Sequence, residues 1–295
     1  MKKTRILAVV VCVMAAGSVA RADTIRGIDM DFVTIGNAGN GTDPVTGNLY
    51  GAVSYSYRIG KYEVTAAQWS TFTSVAGIPV GNPASAYDQS PNLGSQQPIS
   101  YVSWYEAAQF CNYLTSGDKS KGAYRFSGNN SNPGNFQSID RVSSISTYGT
   151  TYVIPTENEW YKAAYFKPNA SGYSLYANGT STTPIAGVNS NYGQTFPPSG
   201  PWDIGSGTTE QNGTFDMMGN LLEWNETLIG SFDSGSGIRG GAYKSDDVSL
   251  ASSGRGIRYS YYESHDTGFR VVSIPEPCSL VLLGLGGLAL RYRKR

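Results

Sequence analysis

Residues able to do chemistry are concentrated in one stretch, residues 213–224, of a chain otherwise rich in glycine, serine and asparagine. Asp216, Asn220 and Glu223 lie there at close spacing among apolar residues and glycines, and Arg239-Gly-Gly241 follows. We therefore expect either a site or a crossing point of the backbone in this stretch.

Few residues are present for other kinds of catalytic site. Of the three cysteines, only Cys111 lies between the two terminal segments, and His265 is the single histidine. The sequence has no nucleophile elbow, no phosphate loop and no cluster of histidine and cysteine ligands. Cys111 shares one face of a predicted helix with apolar residues, so we expect a core residue with no disulfide partner.

The distribution of charge argues against nucleic acid as a partner. Formal net charge is zero, but basic residues are concentrated near both termini. Residues 23–274 contain 14 basic and 21 acidic residues, which gives this body a net charge of about −7. A body with this charge repels phosphate backbones, so no nucleic-acid binding is expected.

The N-terminus has the organisation of an export signal. Lys2, Lys3 and Arg5 precede an apolar run, and small residues at Ala20 and Ala22 fit a cut before Asp23. Residues 1–22 are therefore predicted to be a signal peptide that signal peptidase removes. The alternative is a buried first helix.

The C-terminus predicts a second sorting signal. Pro275-Glu-Pro277 is followed by about a dozen apolar residues, too few to span a bilayer comfortably, and by a basic tail. This order of features resembles the PEP-CTERM signal of Gram-negative bacteria. The resemblance implies that an exosortase recognises residues 275–295 during transient anchoring in the inner membrane, before display at the cell surface, in extracellular matrix or by secretion. An ordinary membrane anchor is the alternative.

Periodicity places the motifs on short elements joined by long loops. Alternating apolar residues predict strands at 31–35, 55–64 and just before Pro155. Helical spacing predicts helices at 66–75 and 104–114, capped by Thr65 and Ser103, and one that begins at Glu157. Thr156 and Glu159 have the spacing of a capping box. The remaining segments 37–48, 77–97, 116–149 and 167–207 are predicted to be loops.

The motifs together resemble the formylglycine-generating enzyme, or sulfatase-modifying factor, family. They occur in family order and are Ile59-Gly-Lys-Tyr-Glu-Val-Thr65, Pro98-Ile-Ser-Tyr-Val-Ser-Trp-Tyr-Glu-Ala-Ala108, Ile154-Pro-Thr-Glu-Asn-Glu-Trp160, Asp216-Met-Met-Gly-Asn-Leu-Leu-Glu-Trp224, Arg239-Gly-Gly241 and Gly268-Phe-Arg270. The resemblance covers residues 29–272. It implies that residues 23–274 form a single, loop-rich α+β domain related to the C-type lectin fold, with little regular secondary structure.

The family's known chemistry does not transfer with its motifs. The resemblance implies oxidation of a substrate cysteine by oxygen, with copper held by two cysteines after the Gly-Gly motif. Those positions fall at Ser245 and Leu250, and no cysteine occurs between Cys111 and Cys278. Thiolates are the natural ligands of Cu(I), so no copper is expected. The iron-dependent branch of the family also fails, because its histidine-rich additional domain is missing.

A calcium site is a further implication of the resemblance. Family members bind calcium through the Gly-Asn-x-x-Glu-Trp motif and an earlier asparagine-containing loop. The matching positions are Asn220, the Leu221 carbonyl and Glu223, and less directly Asn191 and Tyr192. The alternative is that these side chains hold the loop by hydrogen bonds alone.

The resemblance also places a substrate groove between residues 242 and 265. The candidate binding residues are Tyr243, Ser245, Asp246, Arg255, Arg258, Tyr259, Tyr261 and His265. Tyrosine and arginine give large contacts while serine and glycine adapt, which is the composition of a recognition surface. His265 could also serve as an acid or base. The alternative is an ordinary solvated loop.

Two functions follow from these observations. The first is an exported, non-catalytic binding module for a glycan, peptide or matrix ligand. The second is a formylglycine-generating-type oxidoreductase or related modifying enzyme with altered chemistry. Because both catalytic cysteines are absent, the sequence favours the binding module.

Overall fold

The computed structural model describes residues 21–79, 94–194, 200–230 and 235–274. Nearly all of the predicted signal peptide and the whole predicted sorting tail lie outside these residues. Within the described part of the chain, no helix combines the length and apolar character needed to cross a membrane.

Eleven strands and five helices are defined in the described residues, and most of them are short. The strands are β1 (Arg21–Ile25), β2 (Ile28–Ile35), β3 (Tyr57–Gly60), β4 (Tyr124–Phe126), β5 (Phe136–Ile139), β6 (Thr151–Val153), β7 (Leu222–Leu228), β8 (Ser236–Arg239), β9 (Gly256–Arg258), β10 (Thr267–Gly268) and β11 (Val272–Ile274). The helices are α1 (Ala66–Ala76), α2 (Trp104–Ser116), α3 (Arg141–Tyr148), α4 (Glu157–Tyr165) and α5 (Asp247–Leu250), with a 3₁₀ turn at Pro44–Thr46.

The strands form two main sheets and one hairpin. The larger sheet has the order β1-β2-β3-β11-β6, and all its neighbours are antiparallel. The smaller has the order β10-β7-β8-β9, in which β10 and β7 run parallel. β11 pairs with β3 and β6, so the C-terminal end of the domain closes the sheet that its N-terminal half begins. The predicted α+β, loop-rich fold is confirmed.

The predicted helix starts are confirmed, because each has a complete capping box. The side chain of Thr65 accepts from the Gln68 N–H, and Gln68 accepts from the Thr65 N–H in return. Ser103 caps α2 in the same way, and Thr156 caps α4 with Glu159. These reciprocal bonds satisfy backbone donors that a helix leaves free at its N-terminus.

Two predictions of local structure are wrong. The segment 116–149 is not a single loop, because it contains the β4–β5 hairpin and α3, which Asp140 caps. Of the predicted strand 55–64, only Tyr57–Gly60 pairs as β3. Elements of three to eight residues are too short to show a clear periodicity; hairpin pairing defines β4 and β5, the Asp140 cap marks the start of α3, and pairing with β2 and β11 limits β3.

The core is organised around α2, in which all residues but the last are buried. Rings from distant segments meet there: Trp69 stacks on Phe110 at 5.7 Å between centroids, and Phe269 meets Phe110 edge-on at 5.5 Å. Cys111 is fully buried in this helix, and burial raises the pKa of its thiol well above the usual value. Its predicted position in the core is confirmed.

Candidate functional site

The first candidate site is centred on the fully buried carboxylate of Glu223 in β7. The Arg270 Nε donates to Glu223 Oε2 at 2.6 Å, and the Trp160 Nε1 donates to the same oxygen at 2.7 Å. Arg270 also donates to the carbonyls of Gly60 and Phe215. Glu223 therefore joins β7, α4 and the segment between β10 and β11.

Asn220 lies in a second buried network directly before β7. Its Nδ2 donates to Glu63 at 2.6 Å, and the Leu221 N–H donates to the other Glu63 oxygen at 3.0 Å. Its Oδ1 accepts from Asn191 Nδ2 at 3.0 Å and from the Trp202 N–H at 2.7 Å. The structure thus brings Asn191 and Asn220 together, as a tie between loops.

Buried carboxyl groups outnumber buried cationic side chains around these residues. Burial is the main cause that raises the pKa of Glu63 well above its usual value, and nearby Asp216 and Glu223 raise it further. Burial likewise raises the pKa of Glu210 to about 8 and that of Asp216 to about 6. Arg270 interacts with these carboxylates as a nearby cation. At neutral pH this cluster is expected to hold protons that ordinary carboxyls would have lost.

The calcium prediction stays a prediction. Excess buried carboxylate is what a cation would compensate, but Glu223 already accepts hydrogen bonds from Arg270 and Trp160. The hydroxyl of Tyr192 donates to Pro184 O, away from Asn220. Among the residues that the structure describes, no three His, Cys, Asp or Glu side chains converge as metal ligands. A calcium ion at this position would have to replace hydrogen bonds that Glu223 and Asn220 now accept from protein donors.

The two positions that the family resemblance implies for copper ligands, Ser245 and Leu250, carry side chains with other roles. The Ser245 Oγ accepts from the Ala242 N–H at 2.9 Å and closes the turn after Gly241. Leu250 is fully buried at the end of α5, where it joins the hydrophobic core. A hydroxyl engaged in a turn and an aliphatic side chain provide no thiolate, so this pair does not fit copper.

The candidate groove contains a tyrosine–histidine pair. Tyr243 is buried, and its hydroxyl lies 2.7 Å from Nδ1 of the exposed His265. Tyr101 lies beside them, with its ring centroid 6.3 Å from that of His265. Its φ of 58° is in the left-handed region, which is unfavourable for a bulky side chain, and its N–H donates to Ser264 O. The structure therefore adds Tyr101 to the groove.

Three of the other predicted groove residues are engaged within the protein. Asp246 caps α5 by accepting from the Ser249 N–H. Arg255 donates to Glu157, which also pairs with the buried Arg239. Arg258 forms a two-bond ion pair with Asp266. Asp246 and Arg255 therefore contribute mainly to local structure.

The remaining groove residues, Tyr259 and Tyr261, lie on the surface directly after β9. Their rings stack with 5.5 Å between centroids and 14° between planes. A depression of about 510 Å³ adjoins Tyr259 and is lined by Ile257, Arg258, Tyr259 and Tyr262. The structure brings these tyrosines together as one exposed aromatic surface.

The partners of several central residues were not identified from the sequence, namely those of Glu63, Asp216, Glu210, Arg270 and Tyr101. Four of these residues stand inside the motifs quoted above, which was the only signal available. Their partners are 157 residues away for Glu63 with Asn220 and 47 for Arg270 with Glu223. Such distant pairs cannot be found from local spacing.

Fold and site together define a single-domain α+β protein of the C-type lectin-related type, with a buried ion-pair centre and a surface of tyrosines after the Gly-Gly turn. The chain belongs to the sulfatase-modifying factor enzyme 1-like domain family, whose model matches residues 22–274.

Solved structures of this fold are similar over most of the chain. Treponema denticola variable protein 1 aligns with a TM-score of 0.60 and 22% identity, over 88% of this chain and 100% of that one. CarF aligns with a TM-score of 0.59 and 19% identity, over 84% of this chain and 99% of that one. PvdO from Pseudomonas aeruginosa aligns with a TM-score of 0.58 and 16% identity, over 88% of this chain and 99% of that one. At these identities the similarity concerns the fold alone.

A curated relative is also similar in sequence. The chaperone protein LppX of Paenibacillus barcinonensis is 26% identical over 184 residues, which is 57% of this chain and 61% of that protein. The chain thus spans about three fifths of the length of this relative.

Proposed function

We propose that the protein is an exported, non-catalytic binding module that keeps the frame of its family without the family's copper chemistry. The observation that carries the proposal is the pair of family copper positions. Ser245 closes a turn and Leu250 fills the core, so neither position offers a thiolate. The Cys111 thiol is buried in α2 and cannot replace them.

The binding surface in this proposal is the groove after Gly241. The backbone N–H groups of Tyr243 and Ser245 donate within the protein, whereas the Tyr259 and Tyr261 side chains are exposed. A large exposed aromatic surface on a rigid support is typical of an interaction site. The designation of one relative as a chaperone protein agrees with a binding role. Candidate ligands are a glycan, a peptide or a component of extracellular matrix.

Export is proposed on the two terminal segments. Signal peptidase would remove residues 1–22, and residues 275–295 would anchor the protein transiently in the inner membrane of a Gram-negative bacterium until an exosortase acts on them. The body would then reach the cell surface, the extracellular matrix or the medium. Calcium remains a proposed ligand of the Asn220 and Glu223 region.

A modifying enzyme with altered chemistry is the second candidate. It is favoured by one observation, the 2.7 Å contact between the Tyr243 hydroxyl and His265 Nδ1 in the groove. A hydroxyl and an imidazole at hydrogen-bond distance can exchange a proton.

A parallel assay of copper binding and peptide oxidation tests the proposal. The purified protein is incubated with Cu(I) and with a cysteine-containing sulfatase-motif peptide, beside a family enzyme that has both cysteines. We expect no stoichiometric copper and no loss of the peptide thiol. Turnover of the peptide, or tight copper binding, would contradict the binding-module proposal. Loss of such turnover in Tyr243→Phe would support the second candidate.

A further inference from the structure

Three tyrosines within four residues are unusually exposed. The exposed fractions are 57% for Tyr259, 40% for Tyr261 and 50% for Tyr262. Ile257, at the end of the same surface, is 49% exposed. Single exposed apolar residues are normal, but a contiguous aromatic patch marks a site of interaction. We call Ile257, Tyr259, Tyr261 and Tyr262 the tyrosine ledge.

The backbone beneath the tyrosine ledge is held in place. Ser260, which lies between Tyr259 and Tyr261 in the sequence, is fully buried. Its carbonyl accepts a hydrogen bond from the Trp104 N–H at 2.9 Å, and its hydroxyl is hydrogen-bonded to that of Ser236 at 2.8 Å. The Tyr262 N–H donates to Tyr259 O at 2.9 Å. Because the turn is already ordered, a ligand would bind without ordering it, which lowers the entropic cost of binding.

The geometry of the rings limits what can bind. Tyr259 and Tyr261 lie 5.5 Å apart between centroids and are nearly parallel. Holding a further ring between them would need roughly 7 Å, twice the usual contact distance of stacked atoms. Grooves that recognise proline-rich peptides hold a proline ring between aromatic side chains. Tyr259 and Tyr261 are too close together to hold a proline ring in this way. A ligand must instead lie against an outer face or edge of the pair.

Charge at the ledge is neutralised within the protein. Arg258 donates to both oxygens of Asp266, and the Ser264 hydroxyl donates to the same carboxylate. Although burial raises the pKa of Asp266, hydrogen bonds from Arg258 and Ser264 outweigh this effect and lower it to about 2. The pair thus stays ionised and mutually satisfied, so it offers little attraction to a charged ligand.

We propose that the tyrosine ledge binds a neutral saccharide, whose flat C–H face stacks on the open face of a tyrosine ring. The adjoining depression of about 510 Å³ has room for one or two sugar rings. Aromatic faces carry partial negative charge that attracts polarised C–H groups, and the tyrosine hydroxyls can bond the sugar hydroxyls. No metal is needed for this contact. The inference rests on the proposed binding function and names its ligand class.

Titration calorimetry with cellohexaose, laminarihexaose and mannohexaose tests the inference on the purified protein. We expect at least one hexasaccharide to bind, with equal strength in calcium and in chelator. Tyr259→Ala and Tyr261→Ala should each weaken binding about tenfold, which corresponds to the loss of one stacking contact. Tyr259→Phe keeps the ring and should bind within a few-fold of the original protein.

The control variant is Val142→Ala in α3, which truncates a side chain that is 77% exposed and lies outside the ledge. It should leave binding unchanged. Failure of all three hexasaccharides to bind, or unchanged affinity in the alanine variants, would overturn the inference. Binding of a decaproline peptide through Tyr259 would also overturn it while leaving the proposed binding function intact. Peptide oxidation in the copper assay would instead remove the proposed function.

Discussion

Glu223 and Arg270 form a fully buried ion pair, with 2.6 Å between Arg270 Nε and Glu223 Oε2. Arg270 also donates to the carbonyl oxygens of Gly60 and Phe215. One guanidinium therefore holds the end of β3, the loop before β7 and β7 itself. Both members are satisfied by further hydrogen bonds, which is the condition under which a buried pair is tolerated.

Removing one member of this pair should destabilise the fold strongly. Arg270→Ala leaves the Glu223 carboxylate buried without its cation, and we expect a loss of about 3–5 kcal/mol in the free energy of unfolding. Urea unfolding followed by circular dichroism measures this loss. The control is Arg125→Ala. Arg125 pairs with Asp140 at 3.6 Å, and the two side chains are 38% and 40% exposed. The substitution should cost less than about 1 kcal/mol. Similar losses in both variants would contradict the central role of Arg270.

Stability should fall as pH rises from about 5 to 8. Burial raises the pKa of Glu210 to about 8 and that of Asp216 to about 6, above the values of the unfolded chain. In this interval the folded protein binds more protons than the unfolded one, so raising the pH favours unfolding. We expect the melting temperature to decrease steadily across this range.

Glu210→Gln should make the stability of the fold less dependent on pH. The amide oxygen can still accept the hydrogen bond that the Thr214 hydroxyl donates at 2.9 Å, and an amide does not ionise. The variant should gain stability relative to the original protein at pH 8 and little at pH 5. Asp203→Asn, at an exposed position, is the control and should keep the original slope. An unchanged slope in Glu210→Gln would show that Glu210 does not hold the proton.

Substitution of two glycines distinguishes the stability cost of backbone strain from that of steric crowding. Gly27 and Gly219 have φ values of 83° and 85°, but a Cβ on Gly27 would meet nothing within 4 Å. A Cβ on Gly219 would lie 2.3 Å from the carbonyl oxygen of Asn191. Gly27→Ala should therefore cost about 1–2 kcal/mol from the left-handed backbone alone. Gly219→Ala should cost about 1–3 kcal/mol more, because a loop backbone must move. Equal costs in urea unfolding would contradict the close contact at Asn191.

The calcium proposal predicts a ligand-dependent melting temperature. With millimolar calcium the protein should melt at a higher temperature than in chelator, because a ligand that binds only the folded state stabilises it. Glu223→Ala should lower the melting temperature in both solutions, because it breaks the ion pair with Arg270, and by more in calcium, where a ligand is lost as well. An equal loss in both solutions would assign Glu223 to its ion pair with Arg270 alone. Arg58→Ala, at a partly exposed pair with Asp23, is a control that should not respond to calcium.

Local signals in the sequence were sufficient for the helices of the site. Thr65, Ser103 and Thr156 were identified as caps because each capping interaction reaches only three residues along the chain. The sequence was insufficient for the β4–β5 hairpin and for α3, whose three to eight residues carry too little periodicity. The site residues Asn220 and Glu223 were found, but their partners Glu63 and Arg270 were not.

By itself, the sequence determined the family frame, the caps of three helices, the buried Cys111 and the absence of a cysteine pair after Gly241. These are properties of residue type and short spacing. Only the tertiary structure decided that Glu223 pairs with Arg270, that Asp246 and Arg255 support the protein itself, and that Tyr259 and Tyr261 stack on the surface. The physical reason is that hydrogen-bond capacity and solvent exposure depend on neighbours brought together by folding, and no local pattern records them.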